Sequence, residues 1–232
     1  MKRIRMIKVI ITLAISLFSA SVSVQAGDTD TTEQVRKMPI SIKYCTSYDS
    51  LMADKWQSVD SVYVIVKSRT KQMWWGGKDF KFDSDNKYTN KLLKKHAFAV
   101  MYNDTLLINT APYKNGSIHF GNGYAHAYRM KDGHLMITYF NIGQMSKRAM
   151  MSSMFGLAGA FITASSNEKV AKQDVCYILP LVGKKATIVD AKIMEVLLHD
   201  QQELLNEYHA VNKKDRLNAE VIMPLLRKAG IL

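Results

Sequence analysis

Two imidazoles, His119 and His126, stand on either side of the dipeptide Asn122-Gly123, and a pair of that kind could ligate Zn²⁺ or Cu²⁺. If Asn122-Gly123 is a two-residue hairpin loop, His119 lies directly opposite His126. Asp132-Gly133, read the same way, places Tyr139 across from His126 on its other side. Strand alternation then collects Ser117, His119, Tyr124, His126, Tyr128, Ile137 and Tyr139 on one face. A stable metal site needs further ligands, and this face supplies tyrosines where carboxylates or thiols would be required. The expectation is weak divalent-metal binding at most, on a face whose Tyr128 and Tyr139 offer an aromatic surface to a ligand. One extra residue in the Gly121-Asn122-Gly123 loop would slip the register and part the pair.

Other residues with chemical reach are weaker. Trp74 and Trp75 could stack on a sugar, but neighbours in an extended segment point to opposite sides, so only one could serve. Asp83-Ser84-Asp85-Asn86-Lys87 starts like a calcium loop, yet it lacks the central glycine and has Lys94 where a bidentate Glu is needed. Gly121-Asn122-Gly123 starts like a dinucleotide fingerprint, with His126 in the third glycine's place. There is no G-x-S-x-G, H-E-x-x-H, C-x-x-C or phosphate-loop motif. No catalytic residue and no cofactor is nominated, and the reading leans away from an enzyme.

The segment that says most about destination is residues 1–26. Lys2, Arg3, Arg5 and Lys8 precede an uncharged apolar run at residues 9–18, and Val24-Gln25-Ala26 offers small residues at a cleavage site. The run is shorter than the roughly 20 residues of a membrane span, and a polar tract follows it. The expectation is a signal peptide at 1–26, a mature N-terminus at Gly27, and export to the periplasm, the outer membrane or the medium, with no transmembrane span after cleavage. The whole chain carries +12, the leader contributes four basic and no acidic residues, and the remainder therefore keeps +8. On an exported protein such charge favours anionic lipid, polysaccharide or envelope proteins over nucleic acid as partners. Cys45 and Cys176 would reach an oxidising compartment, where a bridge between them would close a loop of about 130 residues. The chain-entropy model gives such a bridge about 5 kcal/mol. The alternative is two separate small apolar residues.

These groups need elements to hold them. Residues 27–38 are polar and aperiodic, a flexible lead-in to a single α+β domain at 39–232. Residues 61–67 alternate and are β-branched, as a strand is. Residues 86–96 suit a short basic helix. The segment 97–141 holds Asn103-Asp104, Asn122-Gly123 and Asp132-Gly133 between strand-like runs, which predicts an antiparallel β-meander of about five strands.

An uncharged helix or hairpin at 149–164 carries the small-residue stripe Ser152, Gly156, Ala160. Sixteen helical residues reach about 24 Å, short of the roughly 30 Å hydrocarbon core, so burial, docking of a protein and lipid contact all stay open. Two further strands flank residues 182–185. Asp190 should cap one helix running from 191 to about 211, and Pro224 should kink or divide a last helix at 216–229.

Trp74-Trp75-Gly76-Gly77, Phe120-Gly121-Asn122-Gly123-Tyr124 and the helical tail from Asp190 resemble small secreted proteins of unknown function from Bacteroidetes bacteria. That resemblance implies a non-enzymatic envelope role and adds no site. The sequence thus points to a secreted envelope protein that works by interaction with proteins or surfaces. The alternatives are a ligand-binding module using the aromatic sheet face, and a divergent enzyme. Oligomeric state is not encoded in any of these features.

Overall fold

The computed structural model describes residues 34–35, 38–67, 79–143 and 174–232. Its strands are β1 (Gln34–Val35), β2 (Ile40–Cys45), β3 (Gln57–Val66), β4 (Phe80–Ser84), β5 (Ala99–Tyr102), β6 (Thr105–Asn109), β7 (Lys114–Asn115), β8 (Ile118–His119), β9 (Tyr124–Arg129), β10 (Leu135–Phe140), β11 (Asp174–Leu179) and β12 (Thr187–Ile188). The helices are α1 (Tyr48–Met52), α2 (Lys87–Lys91), α3 (Ala191–Leu197), α4 (Gln202–Ala210) and α5 (Ala219–Lys228), and one π-helical turn, Leu92–His96, continues α2. The fold is α+β, an antiparallel sheet followed by C-terminal helices.

Six strands close into a ring. β2 pairs β3 and β5, β3 pairs β4, β5 pairs β6, and β6 pairs β9. β4 meets β9 at Phe80↔Tyr124 and completes the circuit. Alternate residues of these strands point inward, as the two-residue period requires. Ile42 and Tyr44, Val62 and Val64, Phe80 and Phe82, Val100 and Tyr102, Leu107 and Tyr124 form one apolar cluster, so the small barrel is filled by its own side chains.

β9 belongs to two structures. Its first half closes the ring, and its second half pairs with β10, which leads to β11 and β12. β10 and β11 are covered on both faces, and the alternation shows it. Leu135, Ile137, Tyr139, Val175, Tyr177 and Leu179 face one cluster, while Met136 and Cys176 face the helices, packing with Val189, Met194, Tyr208 and Ile222.

The same alternation decides the cysteines. Cys45 packs in the first cluster and Cys176 in the second, on the helix side of the sheet. Both are buried free thiols, so of the two readings left open the structure has the separate small apolar residues and not the bridge.

The hairpins divide by turn chemistry. Asn103 (φ 47°) and Asp104 (φ 56°) make the two-residue loop expected, with Tyr102 opposite Thr105. At Asp132-Gly133 the loop is one residue longer. Met130 N donates to His134 O at 2.8 Å, and Asp132 Oδ1 takes the His134 N–H at 3.0 Å. Gly133 follows at φ 89°, a conformation that glycine adopts without cost. Arg129 therefore faces Leu135, one step away from the expected register. That single step turns Tyr139 to the opposite face, where it is fully buried.

Asn122-Gly123 does not make a hairpin loop at all. Residues 111–123 leave the sheet, and β7 and β8 pair with each other in a separate ribbon. The strand expected at 117–121 therefore lies outside the large sheet, and β6 takes its place beside β9. Thr110 holds the return of this excursion: its N–H donates to Gly123 O (2.9 Å), and its hydroxyl bonds the carbonyls of Gly121 (2.7 Å) and Gly123 (3.0 Å). Thr110 is fully buried. Thr110→Val keeps the shape and the backbone bond to Gly123 but strips the Gly121 carbonyl of its hydroxyl partner, so urea unfolding should show a loss of about 1–3 kcal/mol.

In the tail, Asp190 caps α3 by accepting from Ile193 N at 3.1 Å. The single helix expected to reach 211 is two, because the chain breaks between Leu198 and Gln201. Pro224 does not divide α5. It lies on the exposed side of the helix, where the carbonyl it leaves unpaired can meet water. The stretch 149–164 and its stripe Ser152, Gly156, Ala160 lie outside the described residues, as do Trp74, Trp75 and the segment 1–26.

Candidate functional site

The metal reading needed His119 and His126 side by side. The structure puts His119 on β8, exposed and opposite Lys114, and His126 on β9, opposite Leu107 with its ring 5.3 Å from that of Phe80. The two are not cross-strand neighbours, since the ribbon that carries His119 has left the sheet. No group of three metal-binding side chains occurs among the described residues. The aromatic face is likewise dispersed. Tyr139 is interior, and Tyr128 lies on the helix side, where the Arg227 guanidinium sits 5.9 Å from its ring centre.

A different constellation lies at one mouth of the barrel. A cavity of about 420 Å³ is bounded by Lys67 at the end of β3, by Lys81, Phe82 and Asp83 of β4, by Asn90, Leu93 and Lys94 of the helical cap, and by Asn109, Asn122, Gly123 and Tyr124. Two amides fasten the cap. Asn90 pairs with the Ser84 backbone both ways, accepting from N and donating to O, each at 2.6 Å. Asn109, buried, donates to Ala97 O (3.0 Å) and Lys94 O (3.3 Å) and accepts from Ala111 N (3.1 Å). The floor is apolar: Phe82 and Tyr124 meet edge to face at 5.0 Å, and the Tyr124 hydroxyl donates to Leu93 O at 2.5 Å. Burial pushes the Tyr124 phenol far above its ordinary range, so it stays neutral.

Charge on the walls is one-sided. Among the described residues of the lining, Lys67, Lys81 and Lys94 are accompanied by one carboxylate, Asp83. Lys81 pairs with Asp83 at 2.7 Å, a half-exposed contact that an incoming anion can replace at small cost. Lys67 Nζ donates to Asn122 O at 2.8 Å and ties the β3 end to the loop before β9. The result is a concave, partly apolar site rimmed by ammonium groups, of a size that suits a small molecule or one residue of a polymer.

None of these three lysines stood out in the sequence, where they are scattered among many. Only the ring, with the cap fastened by Asn90 and Asn109, brings them together. The alternation of β4 was the one available clue, since it sets Lys81 and Asp83 on the face opposite Phe80 and Phe82.

The comparisons with known proteins agree in extent with this architecture. One family model matches residues 43–231, from β2 through the last helix. The chain belongs to the family of unknown function DUF6563. No curated protein and no solved structure matches it. Membership covers the ring, the mouth with its three lysines, and the helical layer together, and it assigns no residue a role. No described helix is long and apolar enough to cross a membrane.

Proposed function

We propose that this DUF6563 protein is an exported, non-enzymatic component of the cell envelope that engages anionic groups of a partner or surface through the lysine-rimmed mouth of its barrel. The observation that carries the reading is the mouth: three lysines and one carboxylate among its described lining residues, around an apolar floor. The signal-like segment at 1–26 and the +8 charge of the remaining chain support it from the sequence. A rim of this kind recognises phosphate or carboxylate by charge, and it should release its partner as salt rises.

Fractionation of cells tests this. The wild type should be recovered from the envelope with an N-terminus at Gly27 and should be eluted by salt. Lys81→Glu/Lys94→Glu, which reverses two charges of the rim, should be released at clearly lower salt. Protein starting at Met1 in the cytoplasm, or a variant eluting with the wild type, would overturn the proposal.

A further inference from the structure

The loop joining β11 to β12 is built unlike the rest of the surface. At its tip Val182 is 91% exposed and its neighbour Leu181 48%, two of the few large apolar side chains that the described surface displays. Gly183 follows at φ 94°, in open space, and turns the chain back. Lys184 and Lys185 come next, both exposed.

The loop is pinned at its base. Lys114 N donates to Lys184 O and Ala186 N donates to Lys114 O, each at 2.8 Å, while Asn115 Nδ2 donates to Ala186 O at 3.0 Å. This pinning also brings the Lys114 backbone beside Lys185. Behind the tip lies a cleft of about 190 Å³ lined by Leu181, Pro180, Phe98, Tyr48 and Tyr113.

The charges on the loop and on the segment that pins it are all of one sign. Residues 175–189 and 111–119 contain no Asp or Glu. No ion pair engages Lys114, Lys184 or Lys185 among the described residues. An isolated exposed Val needs no explanation. Two adjacent apolar side chains on a pinned turn, beside an aromatic-lined cleft and followed by unpaired ammonium groups, match a surface that is apolar just beneath a layer of negative charge.

The geometry points to the 180–185 loop as a membrane-docking element: Leu181 and Val182 enter the headgroup boundary of an anionic bilayer while Lys184 and Lys185 lie against its phosphates. Both contributions act together. The apolar tip gains by leaving water, and each lysine near an anionic surface strengthens binding about fivefold. The inference rests on the proposed export and is independent of the lysine-rimmed mouth, so the outcome of the salt-elution test on the mouth leaves it standing or falling by its own experiment.

That experiment is vesicle co-sedimentation, using protein purified from the fraction to which cells export it. The probes are vesicles of phosphatidylcholine alone and of phosphatidylcholine mixed with phosphatidylglycerol. Wild type should sediment with the mixed vesicles and hardly with phosphatidylcholine. Lys184→Gln/Lys185→Gln should bind about 25-fold more weakly, two fivefold losses combined. Leu181→Ser/Val182→Ser should stay in the supernatant, and its circular dichroism should match wild type because neither side chain packs in the core. As a check that does not depend on loss, V182W should bind more tightly and show a blue-shifted emission on mixed vesicles only, since indole prefers the headgroup level. Equal sedimentation of wild type and the serine variant, wild type binding neither vesicle, or V182W emission unmoved by vesicles would each overturn the proposal. Tip-dependent capture by an envelope protein with no vesicle binding would assign the loop to a protein partner and overturn it as well.

Discussion

Phe120→Ala should lower the stability of this protein by about 4 kcal/mol, the usual cost of emptying a buried aromatic site. Phe120 is 2% exposed, and its ring meets those of Tyr139 and Tyr177 edge to face, at 4.9 Å in each case. It is also the residue by which the 111–123 excursion is seated. Its N–H donates to Tyr113 O at 3.0 Å, and the next N–H, of Gly121, donates to the Tyr139 hydroxyl at 3.2 Å. Removing the ring therefore opens a cavity and loosens the segment that carries β7, β8 and one wall of the barrel mouth. Chemical denaturation of wild type, Phe120→Ala and Phe120→Leu would check this. Leucine, which fills part of the volume, should cost clearly less than alanine. A loss below about 1 kcal/mol for the alanine variant would show that the excursion does not depend on this contact.

The second large effect is expected in alkali. Burial pushes the Cys176 thiol from 9.0 up to about 12 and the Tyr113 phenol from 10.0 up to about 12, and it raises the phenols of Tyr124 and Tyr177 further. For Cys176 the nearby Asp174 carboxylate adds to the effect of burial. All of these groups are neutral when protonated. Above pH 9.0 the unfolded chain loses the thiol proton while the folded chain keeps it, so stability is complete below that pH and falls as pH rises towards about 12. For Cys176 alone the difference amounts to about 4 kcal/mol. The thiol acts first, because its unfolded pKa lies below that of the phenols. Melting curves across this range should therefore separate the contributions. Cys176→Ala should start from a lower stability, owing to the lost packing, and should show a shallower decline just above pH 9.0, where the two thiols, Cys176 and the Cys45 that burial also raises, titrate ahead of the phenols. An unchanged slope would mean that water reaches the thiol in the folded protein.

How much of this was legible follows from which interactions are local. The Asn103-Asp104 loop, the Asp190 cap and the alternation within 61–67 at the end of β3 and in β5 depend on neighbours in sequence, and they could be read directly. The Asp132-Gly133 loop was legible as a turn but not in length, because a side chain decides it: Asp132 accepts from His134 N, and this favours three loop residues over two. The one-residue difference moved Tyr139 from a supposed ligand surface into the core. Asn122-Gly123 misled for a non-local reason. Thr110 binds the carbonyls on both sides of the dipeptide and Lys67 binds the one in its middle, so contacts from β3 and from the end of β6 replace the hairpin. The mouth was not legible at all. Its lysines come from β3, β4 and the π-helical turn, and only ring closure at Phe80↔Tyr124 makes them neighbours.

The ends of the large sheet carry a consequence for life among crowded neighbours. Among the described residues β1 and β12, the two strands at the ends of its order, are each two residues long. A long bare strand is a template on which another chain can add itself, and from there fibres and precipitates grow. Two residues offer too few donors and acceptors to hold such an addition against thermal motion. Enlarging either terminal strand should therefore make this protein more prone to aggregate.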